Sequence, residues 1–205
     1  RDGRITEAYV VWVNGLSARE QEKLGLLFNG SFELPLSQTG FGWRSLRNDH
    51  AIMRQLTTAG TSGNQALRIQ FRAHEERFRH LLQPLFLDPG SYQLTGRVRS
   101  DSFESKGGLR WELRCLAPTS GMLALGSRVP EMRDWQDFEL EFEVPESCTY
   151  QQVRLVSAGR LPFELKLQGD IWFDDLRIIR IQDRQETQQV DQLTGRLRED
   201  QMRGA

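Results

Sequence analysis

From residue 65 onward, apolar positions recur at every second residue. Leu67, Ile69 and Phe71 alternate with Arg68, Gln70 and Arg72, and Tyr92, Leu94, Gly96 and Val98 with Gln93, Thr95, Arg97 and Arg99. The same holds for Leu109, Trp111, Leu113 and Cys115 against Arg110, Glu112 and Arg114, and for Phe138, Leu140, Phe142 and Val144 against Glu139, Glu141 and Glu143. A period of two gives each segment one dry face and one wet face, the pattern of a half-buried strand. Turn-forming sequences separate the runs: Asp88-Pro89-Gly90, Lys106-Gly107-Gly108, Val144-Pro145 and Gly169-Asp170. About ten strands at this spacing predict an all-β, two-sheet antiparallel sandwich.

Only the start of the chain carries the longer helical period. Ile5, Ala8, Tyr9, Trp12 and Val13 recur at helical spacing and Asn14-Gly15 supplies a stop. Ser17-Ala18-Arg19-Glu20 reads as a capping box that opens a second helix over about 18–25, leading straight into the first strand. The chain therefore divides into a helical lead-in (1–25), a sandwich (26–181) and a polar, mobile tail rich in Gln and Arg (182–205).

Charge changes this picture little. Lys+Arg 27 against Asp+Glu 28 leaves a net charge of −1, which gives no reason to expect nucleic acid or an anionic membrane as partner. The longest apolar run, Ala8 to Val13, is far too short to span a bilayer, so no membrane insertion is expected. The chain opens on Arg1 without a basic–apolar–small leader, which reads as a piece of a longer polypeptide. Cys115 and Cys148 are consistent with one disulfide and equally with two buried thiols. An oxidised pair would argue for an envelope or extracellular compartment.

Several short motifs, in order, carry a resemblance. They are Asn29-Gly30-Ser31-Phe32-Glu33, Gly42-Trp43, Gly63-Asn64-Gln65-Ala66-Leu67-Arg68-Ile69 and Leu87-Asp88-Pro89-Gly90-Ser91-Tyr92. Trp135-Gln136-Asp137-Phe138 then leads to Phe142-Glu143-Val144-Pro145, and Phe173-Asp174-Asp175-Leu176 closes the series. Over residues 26–181 this resembles the jelly-roll carbohydrate-binding modules of the xylan- and glucan-binding type, within the galactose-binding-like sandwiches. The resemblance implies a structural Ca²⁺ tying the first strand to the last. Glu33 would supply one side-chain oxygen, Asp174 or Asp175 another, and a carbonyl near Ser31 part of the shell. The plainer alternative is that these acids face water or pair with Arg177. The helical lead-in resembles the junction after a helical repeat region in bacterial envelope proteins with a similar C-terminal module. That implies a periplasmic or extracellular location.

A sugar platform needs flat aromatic faces. Trp111 shares the inward face of its strand, Trp135 covers a sandwich end and Trp12 belongs to the lead-in. Trp172 is open, and Trp43, in the loop Gly40-Phe41-Gly42-Trp43-Arg44, is the candidate platform and equally a core ring. Arg97, Arg99, Arg110 and Arg114 project from strands expected to share sheets, with Glu112, Glu139, Glu141, Glu143, Gln152 and Arg154 beside them. Neutral-sugar binders of this type carry rings there, so arginines at these positions favour an acidic polysaccharide held by guanidinium forks, or a protein surface. The bland alternative is a solvated face with cross-strand ion pairs.

Catalysis has little support. His50, His74 and His80 lack metal-ligand spacing, and Gly60-Thr61-Ser62-Gly63 is not a nucleophile elbow but a plain loop before a strand. Two functions remain. One is a non-catalytic polysaccharide- or oligosaccharide-binding module. The other is a protein-interaction sandwich in a cell-envelope or exopolysaccharide export assembly, where another envelope protein meets the same face.

Overall fold

The structure, a computed structural model, describes residues 3–181. The expected tail over 182–205 lies outside the described residues. Two helices, α1 (Gly3–Asn14) and α2 (Ala18–Gln21), precede ten strands. These are β1 (Arg44–Ser45), β2 (Ala51–Thr57), β3 (Gln65–Glu75), β4 (Leu81–Leu85), β5 (Gly90–Ser105), β6 (Leu109–Ala117), β7 (Gly121–Leu125), β8 (Gln136–Val144), β9 (Tyr150–Ser157) and β10 (Lys166–Arg180). They form two five-stranded antiparallel sheets, β1-β4-β9-β6-β7 and β2-β3-β10-β5-β8. The expected all-β jelly-roll sandwich with a short helical extension is thus the observed architecture.

The alternation sets the layers. Leu109, Trp111 and Leu113 of the first sheet face Leu67, Ile69, Leu94 and Phe173 of the second, all buried. Trp111 meets Phe173 edge-on at 5.4 Å and Trp43 at 6.1 Å. Full burial of one such side chain stabilises the fold by roughly 1.5–3 kcal/mol, so these rings fix how the sheets stack.

Three expectations need correction. The second helix ends at Gln21, not near residue 25, because Lys23 and Leu24 donate to Glu20 and Gln21 in a tightened last turn. Leu27 and Phe28 are then drawn into the sandwich. Residues 29–34 do not form a first strand: Asn29 and Phe32 both have φ of 50°, and the Asn29 side chain ties off Leu34 through two hydrogen bonds. The segment still lies along the last strand, where the Leu176 N–H donates to the Gly30 carbonyl at 3.0 Å. That approach is so close that a Cβ at Gly30 would run into the Leu176 backbone.

Third, Trp43 is 1% exposed. Its loop folds back, with Gln38 N–H donating to the Trp43 carbonyl at 3.0 Å, and the ring packs on Phe32 at 5.4 Å. It is core and offers no stacking face.

The lead-in is docked by aromatic contacts. Tyr9 stacks on Phe86 at 5.0 Å and meets Phe41 edge-on at 4.9 Å, while Trp12 meets Phe28 at 5.2 Å. The other side of α1 leaves Val10 and Val11 exposed.

Candidate functional site

The acidic seam forms where β10 breaks its pairing. Between Asp174 and Arg177 the register with β5 shifts, and Asp175 takes a φ of 53°. Such a bulge re-aims side chains and frees backbone groups, here the Leu176 N–H that reaches Gly30. Residues 29–33 and the loop Gly60–Asn64 then close over Asp174, which is fully buried.

Each acid has a different environment. Glu33 Oε1 accepts hydrogen bonds from the backbone N–H groups of Asn64 and Gln65, both at 2.8 Å. Asp175 accepts from the Ser62 N–H at 3.1 Å and from the Ser62 hydroxyl. Asp174 accepts through Oδ1 from the Asp175 N–H at 2.7 Å, but its Oδ2 is buried without a protein donor. The Thr61 hydroxyl lies close enough to favour the ionised form of Asp174, yet completes no hydrogen bond. Burial pushes the Asp174 carboxyl up to about 7, and the charges of Asp175 and Glu33 push the same way. Among the described residues no Lys or Arg pairs with Glu33, Asp174 or Asp175, so the expected alternative of an Arg177 pair is not what is seen.

Gly63, at φ +91°, completes the cradle, because a Cβ there would meet the Glu33 carboxylate. Gly63→Ala is expected to destabilise the protein by about 1–2 kcal/mol, read as a lower urea midpoint at unchanged slope. Thr61 and Ser62, expected in a plain loop before a strand, are thus part of the seam. The paired glycines at 60 and 63, both with positive φ, were the available signal.

The four arginines proposed for ligand do not share a surface. Arg97 and Arg99 lie on β5 in the second sheet, and Arg110 and Arg114 on β6 in the first. The expectation that their strands share a sheet is corrected: β5 and β6 are consecutive, but the chain crosses between sheets over residues 105–108. Arg99 covers Trp172 at 4.7 Å and Trp135 at 5.3 Å, and Arg97 lies 5.9 Å from the Trp135 ring. Arg97 also donates to the Gly60 carbonyl and pairs with Asp137 at 3.4 Å. These two arginines clamp tryptophans. A groove of about 590 Å³ opens beside them, lined by Thr95, Arg97, Asp137, Glu139, Asp175 and Arg177.

On the outer face of the first sheet, register places Arg154 of β9 opposite Glu112 of β6. Glu112 Oε1 accepts from both Arg154 (3.0 Å) and Arg114 (2.9 Å). Arg110 lies two residues along on the same face, and the Nε atoms of Arg110 and Arg154 are buried without a protein acceptor. Two guanidinium groups thus hold one carboxylate, and a third, that of Arg110, shares the face. The large apolar residue exposed on this sheet is Met122, not a ring.

Cys115 and Cys148 form a disulfide with Cα atoms 5.8 Å apart. It ties the end of β6 to the turn before β9.

No family model and no curated protein matches the chain. Solved structures do. The chain is similar to a CBM4 carbohydrate-binding module at 15% identity and a TM-score of 0.51, over 75% of this chain and 99% of that one. It is similar to the CBM22-1 xylan-binding domain of Xyn10C from Paenibacillus barcinonensis at 12% identity and 0.52, over 73% and 90%. A bacteriophage CBA120 tailspike protein matches at 13% and 0.54, but over only 21% of its own length. At such identities the likeness concerns the fold alone, a jelly-roll sandwich that these carbohydrate-binding modules share.

Proposed function

We propose that this chain is a non-catalytic glycan-binding module of a bacterial envelope or secreted protein, and that it holds an anionic polysaccharide on the outer face of its first sheet. The observation that carries this is the excess of guanidinium over carboxylate around Glu112. Planar forks recognise carboxylate or sulfate groups in two-point geometry, and Lys would not replace them. The similar modules supply the prior for a glycan, and the disulfide and the outward charges agree with an oxidising, aqueous compartment. Arg97 and Arg99 fall outside this face.

Titration calorimetry with uronate oligosaccharides, run beside neutral xylo- and gluco-oligosaccharides, tests the reading. The acidic series is expected to bind and to weaken with added salt. Arg110→Ala with Arg114→Ala is expected to lower affinity at least about 10-fold, since a charged hydrogen bond contributes about 1.5–3 kcal/mol. Binding of neutral sugars alone, unchanged in the double variant, would reject the arginine face.

The lack of an exposed ring on this sheet among the described residues favours a second reading, in which the face meets another envelope protein. Co-purification of a partner that Arg114→Ala abolishes, together with silence toward every glycan, would select it.

The acidic seam is proposed to hold Ca²⁺. A buried carboxylate oxygen without a donor, a neighbouring hydroxyl without one, and clustered acids without a cation are a hard-oxygen donor set. Glu33 and Asp174 would hold the ion and Asp175 would flank it, orienting the Ser62 loop. The ion would supply the positive charge that the seam lacks.

A further inference from the structure

All three histidines of the chain meet at one corner of the sandwich, although their sequence positions suggest no site. His50 immediately precedes β2, His74 lies near the end of β3, and His80 immediately precedes β4. A bulge brings them together. Ala73 has a φ of 51°, and the pairing of β3 with β10 slips there, so that Leu167 faces His74 and Gln168 faces Arg72. The extra residue re-aims His74 toward His50. The two imidazoles stack with centroids 3.6 Å apart and planes 20° from parallel.

Glu76 follows on the same edge. One ligand atom each from His50, His74 and Glu76 lies within 4.8 Å of the others. Asn48 positions the group: its Oδ1 accepts from the His50 N–H at 2.7 Å, and its Nδ2 donates to Glu76 Oε2 at 3.3 Å. The same amide reaches the His80 ring, whose Nε2 stands 3.9 Å from Glu76 Oε1.

We propose that His50, His74 and Glu76 form a binding site for a divalent transition metal of the zinc class. Two imidazole nitrogens and one carboxylate oxygen are the donors such ions take, whereas Ca²⁺ and Mg²⁺ prefer oxygen alone. Bonds of about 2.0–2.1 Å need ligand atoms roughly 3.3 Å apart with the ion in the plane of each ring, so the exposed His74 ring would turn out of its stack on His50 to take the ion. The ion would pin the bulged end of β3 to the segment entering β2. His80 acts on the site through Glu76, and Asn48 through Glu76 and His50; both are positioning residues.

This site is separate from the acidic seam. Glu33 bonds Gln65 at the start of β3, while His74 stands nine residues further along that strand. At about 3.3 Å per residue the two lie roughly 30 Å apart.

Titration calorimetry of the whole chain with ZnCl₂, in excess Ca²⁺, tests the proposal. One equivalent of Zn²⁺ is expected to bind and to shift the ring-nitrogen resonances of both His50 and His74. His74→Ala, whose parent side chain is exposed, is expected to reduce affinity at least about 100-fold, and Asn48→Ala about 10-fold. A melting curve without zinc establishes that each variant is folded. Absence of saturable binding, or stoichiometric binding that survives His74→Ala and His50→Gln together, would overturn the proposal.

Discussion

Chelation at pH 8 is expected to lower the melting temperature by roughly 10 °C, and added Ca²⁺ to restore it. The size follows from Asp174. Its carboxyl is held at about 7 in the metal-free fold against an ordinary 3.8, with burial as the main cause. Keeping that group ionised inside the seam costs roughly 4 kcal/mol, which a bound ion would offset. The sign is fixed by linkage. A carboxyl whose folded pKa is raised contributes its stability fully below about pH 4, and loses it as pH rises through about 7. Chelated protein should therefore become less stable from pH 5 to pH 8, and the calcium response should be larger at pH 8. Asp174→Asn is expected to abolish the response and to raise the chelated melting temperature at pH 8, because a neutral amide carries no desolvated charge. Glu33→Gln should abolish the response alone. Melting curves indifferent to chelator and Ca²⁺ at both pH values would remove the ion from the seam.

Strands were legible because each antiparallel strand has one face on the core, so β5, β6 and β8 print their geometry as alternating apolar and polar residues over 92–99, 109–115 and 138–144. Alternation names the face but not the sheet. Arg97 and Arg110 both read as outward-pointing, and only the crossover at Ser105–Gly108 sends one to each side of the sandwich. Trp43 shows a related limit. A Gly-rich loop suggests exposure, yet the ring fills space between Phe32 and Trp111, a fit set by three distant segments. The acidic seam was legible from the order of motifs at the two ends of the sandwich. Its hydroxyl partners were not, since the loop Gly60–Asn64 is carried there by the fold. The three histidines stand apart in sequence and meet only because the bulge at Ala73 turns one strand end, an effect with no periodic signature.

Removing the disulfide is expected to cost about 3–4 kcal/mol, for a bridge closing a loop of 33 residues. The corresponding fall in melting temperature is roughly 10 °C. Cys115 and Cys148 are 6% and 2% exposed, so a reductant acts slowly on the native protein, and Cys115→Ser with Cys148→Ser is the cleaner measurement. The bridge sits where Cys115 pairs with Gln151 and the β6–β9 register then shifts by one residue. Gln151 in turn holds the carbonyl of Cys148 at 3.1 Å and accepts from the Leu87 N–H at 2.9 Å. Loss of the bridge should therefore loosen this end first, with amides at 150–152 exchanging before those of β10. A double variant that melts within about 2 °C of the parent would mean that the hydrogen bonds of Gln151 hold the corner unaided. The outer arginines on β6 and β9 ride on the same ladder, so the uronate affinity proposed for that face should fall only as far as the corner opens. The bridge would then stabilise the proposed binding face from behind, which ties the compartment where cysteines oxidise to the one where this face would work.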